Sequence, residues 1–207
     1  MPTPTERFSR ALYDKAPDFG IELRPGDVKR LSEYYELLLK WTRRLHLVAP
    51  CSPEEFATRH IMESLFLLPH LPRNARIADI GSGAGLPIVP CLIVREDLRA
   101  ILIESSQRKA VFLREALRFA NSRKPAHVTA TRFERTEVPE ADFVTCRALD
   151  KFQEMLPLLV DWVPSGTELL FFAGANLRKQ IERLVPSAKV FPIPKSDRRF
   201  LIRARKI

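Results

Sequence analysis

The chain contains seven glycines in 207 residues, and three of them, Gly81, Gly83 and Gly85, fall in the single stretch ADIGSGAGLP at positions 78–87. A short β-rich run, ARIADI, leads into this stretch, and Pro87 at its end suits the first turn of a helix. A strand that passes through a glycine-rich turn into a helix lets a ligand approach the backbone closely and leaves free N–H groups at the helix start. A nicotinamide-binding fingerprint would read GxGxxG; here Leu86 stands where the last glycine would fall, and the spacing is GxGxG.

The rest of the chain agrees with a strand-turn-helix unit of this kind. From residue 75 onward short β-rich runs alternate with helical segments: ARIADI, RAILIE, AHVTATR, ADFVTC and TELLFFA, then SAKVFPIP and RRFLIRARKI. Such alternation predicts an α/β fold, a doubly wound, mostly parallel Rossmann-like sheet covered on both faces. The last two runs follow each other closely, which predicts an antiparallel closing pair. Helices are expected over 106–121, over 150–162 with a kink or break at Pro157, and after a cap at Asn176. Residues 1–72 read as an N-terminal helical extension and 73–207 as the α/β domain. Within the extension, Asp27 is the expected N-cap of a helix carrying Val28, Leu31, Tyr35, Leu38 and Leu45. Ser52-Pro53-Glu54-Glu55 forms a capping box for a helix running to Leu68.

Composition excludes several classes. With 45% hydrophobic and 29% charged residues the chain is neither disordered nor membrane-like. MPTPTERFSR lacks the apolar core of a secretory signal, so a cytoplasmic, membrane-free protein is expected. Cys51, Cys91 and Cys146 are odd in number and lack CxxC spacing, and His46, His70 and His127 show no metal-ligand spacing, so no metal site is expected. The net charge of +9 is localised. Residues 1–72 balance ten Lys/Arg against ten Asp/Glu, whereas the last 13 residues carry six basic side chains and one acid. A concentrated excess of this sign favours a polyanion such as RNA.

Asp79 before the turn and Glu104 at the end of the following β-rich run match the pattern of S-adenosylmethionine-dependent methyltransferases, with Glu104 placed to accept hydrogen bonds from both ribose hydroxyls. A closer resemblance rests on Trp41 with the following LHLVAP, RHIMESL at 59–65, DIGSGAGLP, LIESSQRKAVFLREAL, Arg132-Phe133-Glu134 and TCRAL at 145–149. In combination these segments make residues 25–207 resemble the bacterial small-subunit ribosomal RNA guanine-N7 methyltransferases of the glucose-inhibited-division protein B type. The resemblance implies that Gly81 and Leu86 hold S-adenosylmethionine, that Phe133 and Glu134 flank its adenine, and that Arg147 lies beside its methionine end. With Asp79, Gly83, Gly85 and Glu104, these are the candidate cofactor residues, and Arg147 is also the candidate catalytic residue. It further implies transfer to N7 of a guanine in small-subunit ribosomal RNA, free or in an assembling particle, by a monomer. Ile88, Ala173 and His46 stand where the family has glycine, lysine and asparagine.

Absent motifs narrow the chemistry. After the fourth β-rich run the chain reads TCRALD, without the (D/N/S)PP(Y/F/W) sequence that holds an exocyclic amino group. Cys146 is the nominal nucleophile for a pyrimidine carbon, though no PC motif accompanies it. Guanine N7 carries an in-plane lone pair and loses no proton, so it needs alignment more than acid-base help. Candidate RNA contacts are Arg59, Arg108 and Lys109, together with Arg199, Arg203 and Arg205, which period-two alternation puts on one face of the last strand. The same arginines could instead guard a sheet edge. Two other functions stay open at this point: a same-fold methyltransferase for another RNA or a small molecule, and a non-catalytic RNA-binding module.

Overall fold

A computed structural model describes residues 1–120, 126–147, 149 and 151–207. Among these residues the seven β-rich runs become β1 (Arg76–Ile80), β2 (Arg99–Ile103), β3 (Ala126–Thr129), β4 (Phe143–Cys146), β5 (Glu168–Gly174), β6 (Lys189–Pro192) and β7 (Arg199–Arg205). They form one sheet in the order β3-β2-β1-β4-β5-β7-β6. The first five are parallel, and β7 runs antiparallel to both β5 and β6. The closing pair is antiparallel as expected, but β7 is inserted between β5 and β6. It is therefore an interior strand, and the edge-guarding reading of its arginines does not apply; β6 is the edge.

Helices α5 (Ile88–Val94) and α6 (Gln107–Ala116) connect the strands on one face, while α7 (Phe152–Trp162) and α8 (Ala175–Leu184) lie on the other. Pro157 falls inside α7 without ending it. The proline leaves the Gln153 carbonyl without its usual helical donor, and Gln180 of α8 supplies one through its side-chain amide at 2.7 Å. Helix α8 starts directly from β5, with Gly174 rather than Asn176 as its N-cap. The helix expected over 106–121 ends at Ala116 with a 3-10 turn to Phe119; Asn121 and Asp150 lie outside the described residues.

The extension supplies the cover that α5 and α6 do not extend to β5 and β7. Its main helices are α1 (Pro4–Lys15) and α2 (Pro25–Leu45). Pro25, with its fixed φ, occupies the first position of α2, so Arg24 is the cap and Asp27 falls third. The Asp27 carboxylate, 1% exposed, accepts from the Arg24 N–H and from the guanidinium groups of Arg24 and Arg30. Ser52 caps α3 (Pro53–Phe56) by accepting from the Glu55 N–H. The helix expected to reach Leu68 instead widens into a π-helical segment over Ala57–Met62, resumes as α4 (Glu63–Leu65), and ends in a 3-10 turn over Leu68–His70. One apolar cluster runs from Phe8, Leu31 and Leu38 through Leu65 and Leu67 to Phe143, Leu170, Phe172 and Leu201 of the sheet. The apolar core thus crosses residue 72 without a break.

Helix α2 also reaches the glycine turn directly, because the fully buried Tyr34 hydroxyl donates to the Ala84 carbonyl. Tyr34→Phe removes the donor and leaves a buried carbonyl unpaired, so stability should fall by about 1–3 kcal/mol with the denaturant m-value unchanged. Urea unfolding of the two proteins measures this; a loss under about 0.5 kcal/mol would mean that Ala84 finds another donor.

Candidate active site

The glycine turn lies at the carboxyl end of β1, where open α/β sheets bind ligands. All three of its glycines are left-handed, with φ of 67° at Gly81, 52° at Gly83 and 81° at Gly85. A Cβ at Gly81 would fall 2.8 Å from Leu149 Cδ1, and one at Gly85 would fall 2.6 Å from Val89 Cγ2. Gly81 is thus a position of close approach at the cavity. Gly85 packs the turn onto α5 and α6.

Glu104, 6% exposed at the end of β2, clasps this turn. Its Oε2 accepts from the Gly83 N–H at 2.8 Å and its Oε1 from the Ser106 N–H at 2.7 Å. Each carboxylate oxygen has a second lone pair, so the group that orders the turn can also receive hydroxyls of a ligand. Asp79 is 1% exposed beneath the turn. Thr145 donates to its Oδ1 at 2.7 Å, and Oδ2 has no partner. Burial pushes this carboxyl up to about 7, against the opposing hydrogen bonds from Thr145 and Ser82.

Two cavities flank the turn and share Gly81, Ser105 and Leu149. One, of about 330 Å³, is walled by Ile80, Ile103, Phe133, Glu134 and Met155. The other, of about 490 Å³, is walled by Leu47, Val48, His60, Gly83, Leu86, Glu104, Lys109 and Arg147. Of the residues expected to hold a cofactor, the structure brings Gly81, Gly83, Leu86, Glu104, Phe133, Glu134 and Arg147 to these walls. Asp79 and Gly85 line neither cavity, because one lies beneath the turn and the other faces α5. Sequence reasoning missed Leu47 and Val48 as wall residues, although LHLVAP had carried part of the resemblance.

Arg147 does line the second cavity, but its guanidinium is already engaged. It donates to Glu63 Oε2 at 3.1 Å, Ser64 Oγ at 3.1 Å and the His60 carbonyl at 3.3 Å, and it also reaches the Arg59 carbonyl. These bonds tie the π-helical segment to the end of β4. Glu63, 1% exposed, bonds a second arginine, Arg199, at 2.8 Å. Burial pushes the Glu63 carboxyl up, and Arg147 and Arg199 pull it back. The widened turn presents His60 to the cavity. Its Nδ1 is buried without a partner and its ring leans on Phe56 at 4.9 Å.

The candidate RNA contacts divide. Arg199 is bound to Glu63, which it shares with Arg147, and Arg203 to Glu168 at 3.0 Å, so two of the three arginines on β7 are engaged within the protein, and of the three only Arg205 is exposed without an ion pair. Arg59 pairs with Glu55 across one helical turn. Arg108 is exposed at the start of α6, and its neighbour Lys109 lines the larger cavity.

His60 has a pH signature. Burial, then repulsion from Arg147, Arg59 and Arg199, lowers its imidazole from 6.5 to about 3. Between these values the unfolded chain binds a proton that the folded chain refuses, so the stability this histidine supports is complete above pH 6.5 and is lost as pH falls. His60→Gln removes the titration. The stability difference between wild type and variant should shift by about 2 kcal/mol in favour of the variant from pH 7 to pH 5. Asp79 acts in the opposite direction but is common to both proteins. Denaturant melts at the two pH values measure the shift; a constant difference would place a solvated imidazole at position 60.

Comparison with known proteins agrees with this arrangement. The family model for rRNA small subunit methyltransferase G (GidB) matches residues 27–195. A protein of Rhizobium meliloti named ribosomal RNA small subunit methyltransferase G is 33% identical over 172 residues, 80% of this chain and 81% of its own. One of the same name from Xanthomonas campestris pv. campestris is 36% identical over 155 residues, 74% of this chain and 72% of its own. Among solved structures, a SAM-dependent methyltransferase from Aquifex aeolicus superposes with a TM-score of 0.56 at 14% identity, over 74% of this chain and 93% of that one. A fibrillarin/Nop5p complex gives a TM-score of 0.55 at 14% identity, over 77% and 87%. These structures share the fold; the sequence matches carry the family. With the glycine turn and the carboxylate that clasps it at the carboxyl edge of the sheet, and with the family model matching residues 27–195, the chain belongs to the rRNA small subunit methyltransferase G family.

Proposed function

We propose that this chain binds S-adenosylmethionine across the glycine turn and transfers its methyl group to N7 of a guanine in small-subunit ribosomal RNA. The observation that carries the reading is the Glu104 carboxylate, fixed by two backbone donors at the wall of the larger of two cavities that meet at Gly81, Ser105 and Leu149. The residues fit the cofactor's parts. Phe133 and Ile103 offer apolar surface for an adenine, Glu134 an acceptor beside it, Glu104 acceptors for ribose hydroxyls, and Gly81 and Gly83 backbone that no Cβ shields. When bound, S-adenosylmethionine supplies an electrophilic methyl on a sulfonium cation.

The protein's share of the reaction is then to bind, align and exclude. N7 attacks with its own lone pair and releases no proton, so no base is required. His60, held neutral at pH 7, adds no positive charge to a site in which the transferred methyl leaves the guanine cationic. Arg147 is a positioning residue: its guanidinium is engaged by Glu63, Ser64 and the His60 carbonyl, which holds the His60 backbone at the cavity wall. Methylation of a pyrimidine carbon through Cys146 is disfavoured, because that thiol is fully buried and burial raises its pKa well above the ordinary range.

Cofactor binding and transfer can be tested separately. Gly81→Val, strained at positive φ and colliding with Leu149, should abolish S-adenosylmethionine binding with the circular dichroism spectrum unchanged. Glu104→Ala should weaken binding by about 2–4 kcal/mol. Unaltered calorimetric affinity in both would remove this turn as the cofactor site. Arg147→Ala should lower transfer to unmodified ribosomal RNA more than it lowers cofactor affinity. Mapping the product by borohydride-aniline cleavage tests N7 itself, and a labelled RNA resistant to cleavage would point to another atom.

A further inference from the structure

With Arg199 and Arg203 of β7 paired internally, other cations are free to meet RNA near the site. Helix α2 ends in Lys40-Trp41-Thr42-Arg43-Arg44, and the segment immediately after it supplies Leu47 and Val48 to the wall of the larger cavity. Lys40, Arg43 and Arg44 are exposed, and none forms an ion pair among the described residues. With Trp41 they enclose a surface hollow of about 400 Å³. Trp41 fixes this end of α2 against α6: its Nε1 donates to Glu115 at 2.9 Å and its ring meets Phe112 edge-on at 6.0 Å. Helix α6 begins, about one turn before Phe112, with Arg108 and Lys109.

We propose that the end of α2, with the first turn of α6, is the surface that receives the RNA strand leading into the cavity. Lys40, Arg43 and Arg44 contact phosphates, and the half-exposed indole of Trp41 offers a face to an unstacked base. The inference rests on the RNA methyltransferase reading and adds the place where substrate is held. Three observations support it. Lys40 lies three residues from Arg43 and four from Arg44, so like charges share one helix face; Glu36, one turn before Lys40, is bonded by Thr5, and no described carboxylate forms an ion pair with the three cations, so an outside anion can neutralise them. Phosphates do so and release counterions. A planar indole framed by cations suits a single-stranded segment, in which base faces and phosphates are presented together. Finally, the chain runs from this patch directly into Leu47 and Val48, which wall the cavity that also contains Glu104 and His60.

The test compares the full-length chain with Lys40→Gln, Arg43→Gln, Arg44→Gln combined, and with a control of equal charge change at the exposed Lys179, Arg183 and Lys189 beyond the opposite sheet face. Binding of an unmodified small-subunit ribosomal RNA transcript is measured from 50 to 200 mM salt, with S-adenosylmethionine affinity and Tm recorded for each protein. Loss of three phosphate contacts should lower the magnitude of the log-affinity against log-salt slope by about 2, so the deficit relative to wild type shrinks about 15-fold across that range. Cofactor affinity should be unchanged, Tm within a few degrees of wild type, and the control slope that of wild type. A wild-type slope in the α2 variant overturns the proposal, as does an equal fall in the control, which would show a net-charge effect. So does a lowered Tm with lost cofactor binding, which would make the patch structural. If wild type transfers no methyl to the transcript, the functional reading fails first, and this surface falls with it.

Discussion

The site depends on one carboxylate. In the turn with its three left-handed glycines, the N–H groups of Gly81 and Ser82 still reach the Ile103 carbonyl of β2 and that of Gly85 reaches the Ser82 carbonyl, so it is the Gly83 N–H that a side chain must satisfy if the turn is to keep its shape. Glu104 does this from the neighbouring strand, one oxygen on Gly83 and the other on Ser106. A single side chain thereby sets the register between the turn after β1 and the start of α6. The register of β1 against β2, with Ile80 opposite Ile103, delivers Glu104 to that point. Tyr34 grips the same turn through Ala84, so it is held from the sheet and from the extension together.

A second buried acid, Glu63, accounts for why the extension and the sheet share a cavity. Its oxygens bind Arg147 at the end of β4 and Arg199 at the start of β7. Removing one partner of a buried pair of this kind strands a charge in a low-dielectric interior, which is far more destabilising than the pair is stabilising. The geometry follows from the π-helical widening before it, which turns Glu63 toward the strands while His60 faces the cavity. Wide turns of this kind cost helical hydrogen-bond geometry and recur where a helix contributes to a site.

The residues that could be read from sequence are those whose roles are local. The glycines declare a turn because φ is positive, the β-rich runs declare strands because both sheet faces are buried, and Ser52 declares a helix start because its hydroxyl accepts three residues on. His46, where the family has asparagine, belongs here too: it is the left-handed C-cap of α2, a conformation asparagine adopts readily. What could not be read depends on long-range placement. Alternation gave the faces of β7, but not that β7 enters between β5 and β6 and brings Arg199 to Glu63. Local charge made Arg203 look free until Glu168 of the adjacent strand was in place. Tyr34 reads as one more core residue of an amphipathic helix, because its acceptor is 50 residues away.

The distribution of charge then acquires a physical meaning that net charge lacks. A site that accepts a sulfonium donor and leaves its product cationic works best when no uncompensated cation shares its low-dielectric interior. Around the cavity the positive charge is reduced rather than removed: Arg147 and Arg199 share the single carboxylate of Glu63, and His60 is held neutral. Lys109 lines the cavity, whereas Lys40, Arg43, Arg44 and Arg108, which form no ion pair among the described residues, are exposed to solvent. There a phosphate chain can be attracted and screened by salt without altering the charge balance at the reacting atoms. The two demands, a polyanion to hold and a cation to accommodate, are opposite in sign, and the fold meets both by separating them in space.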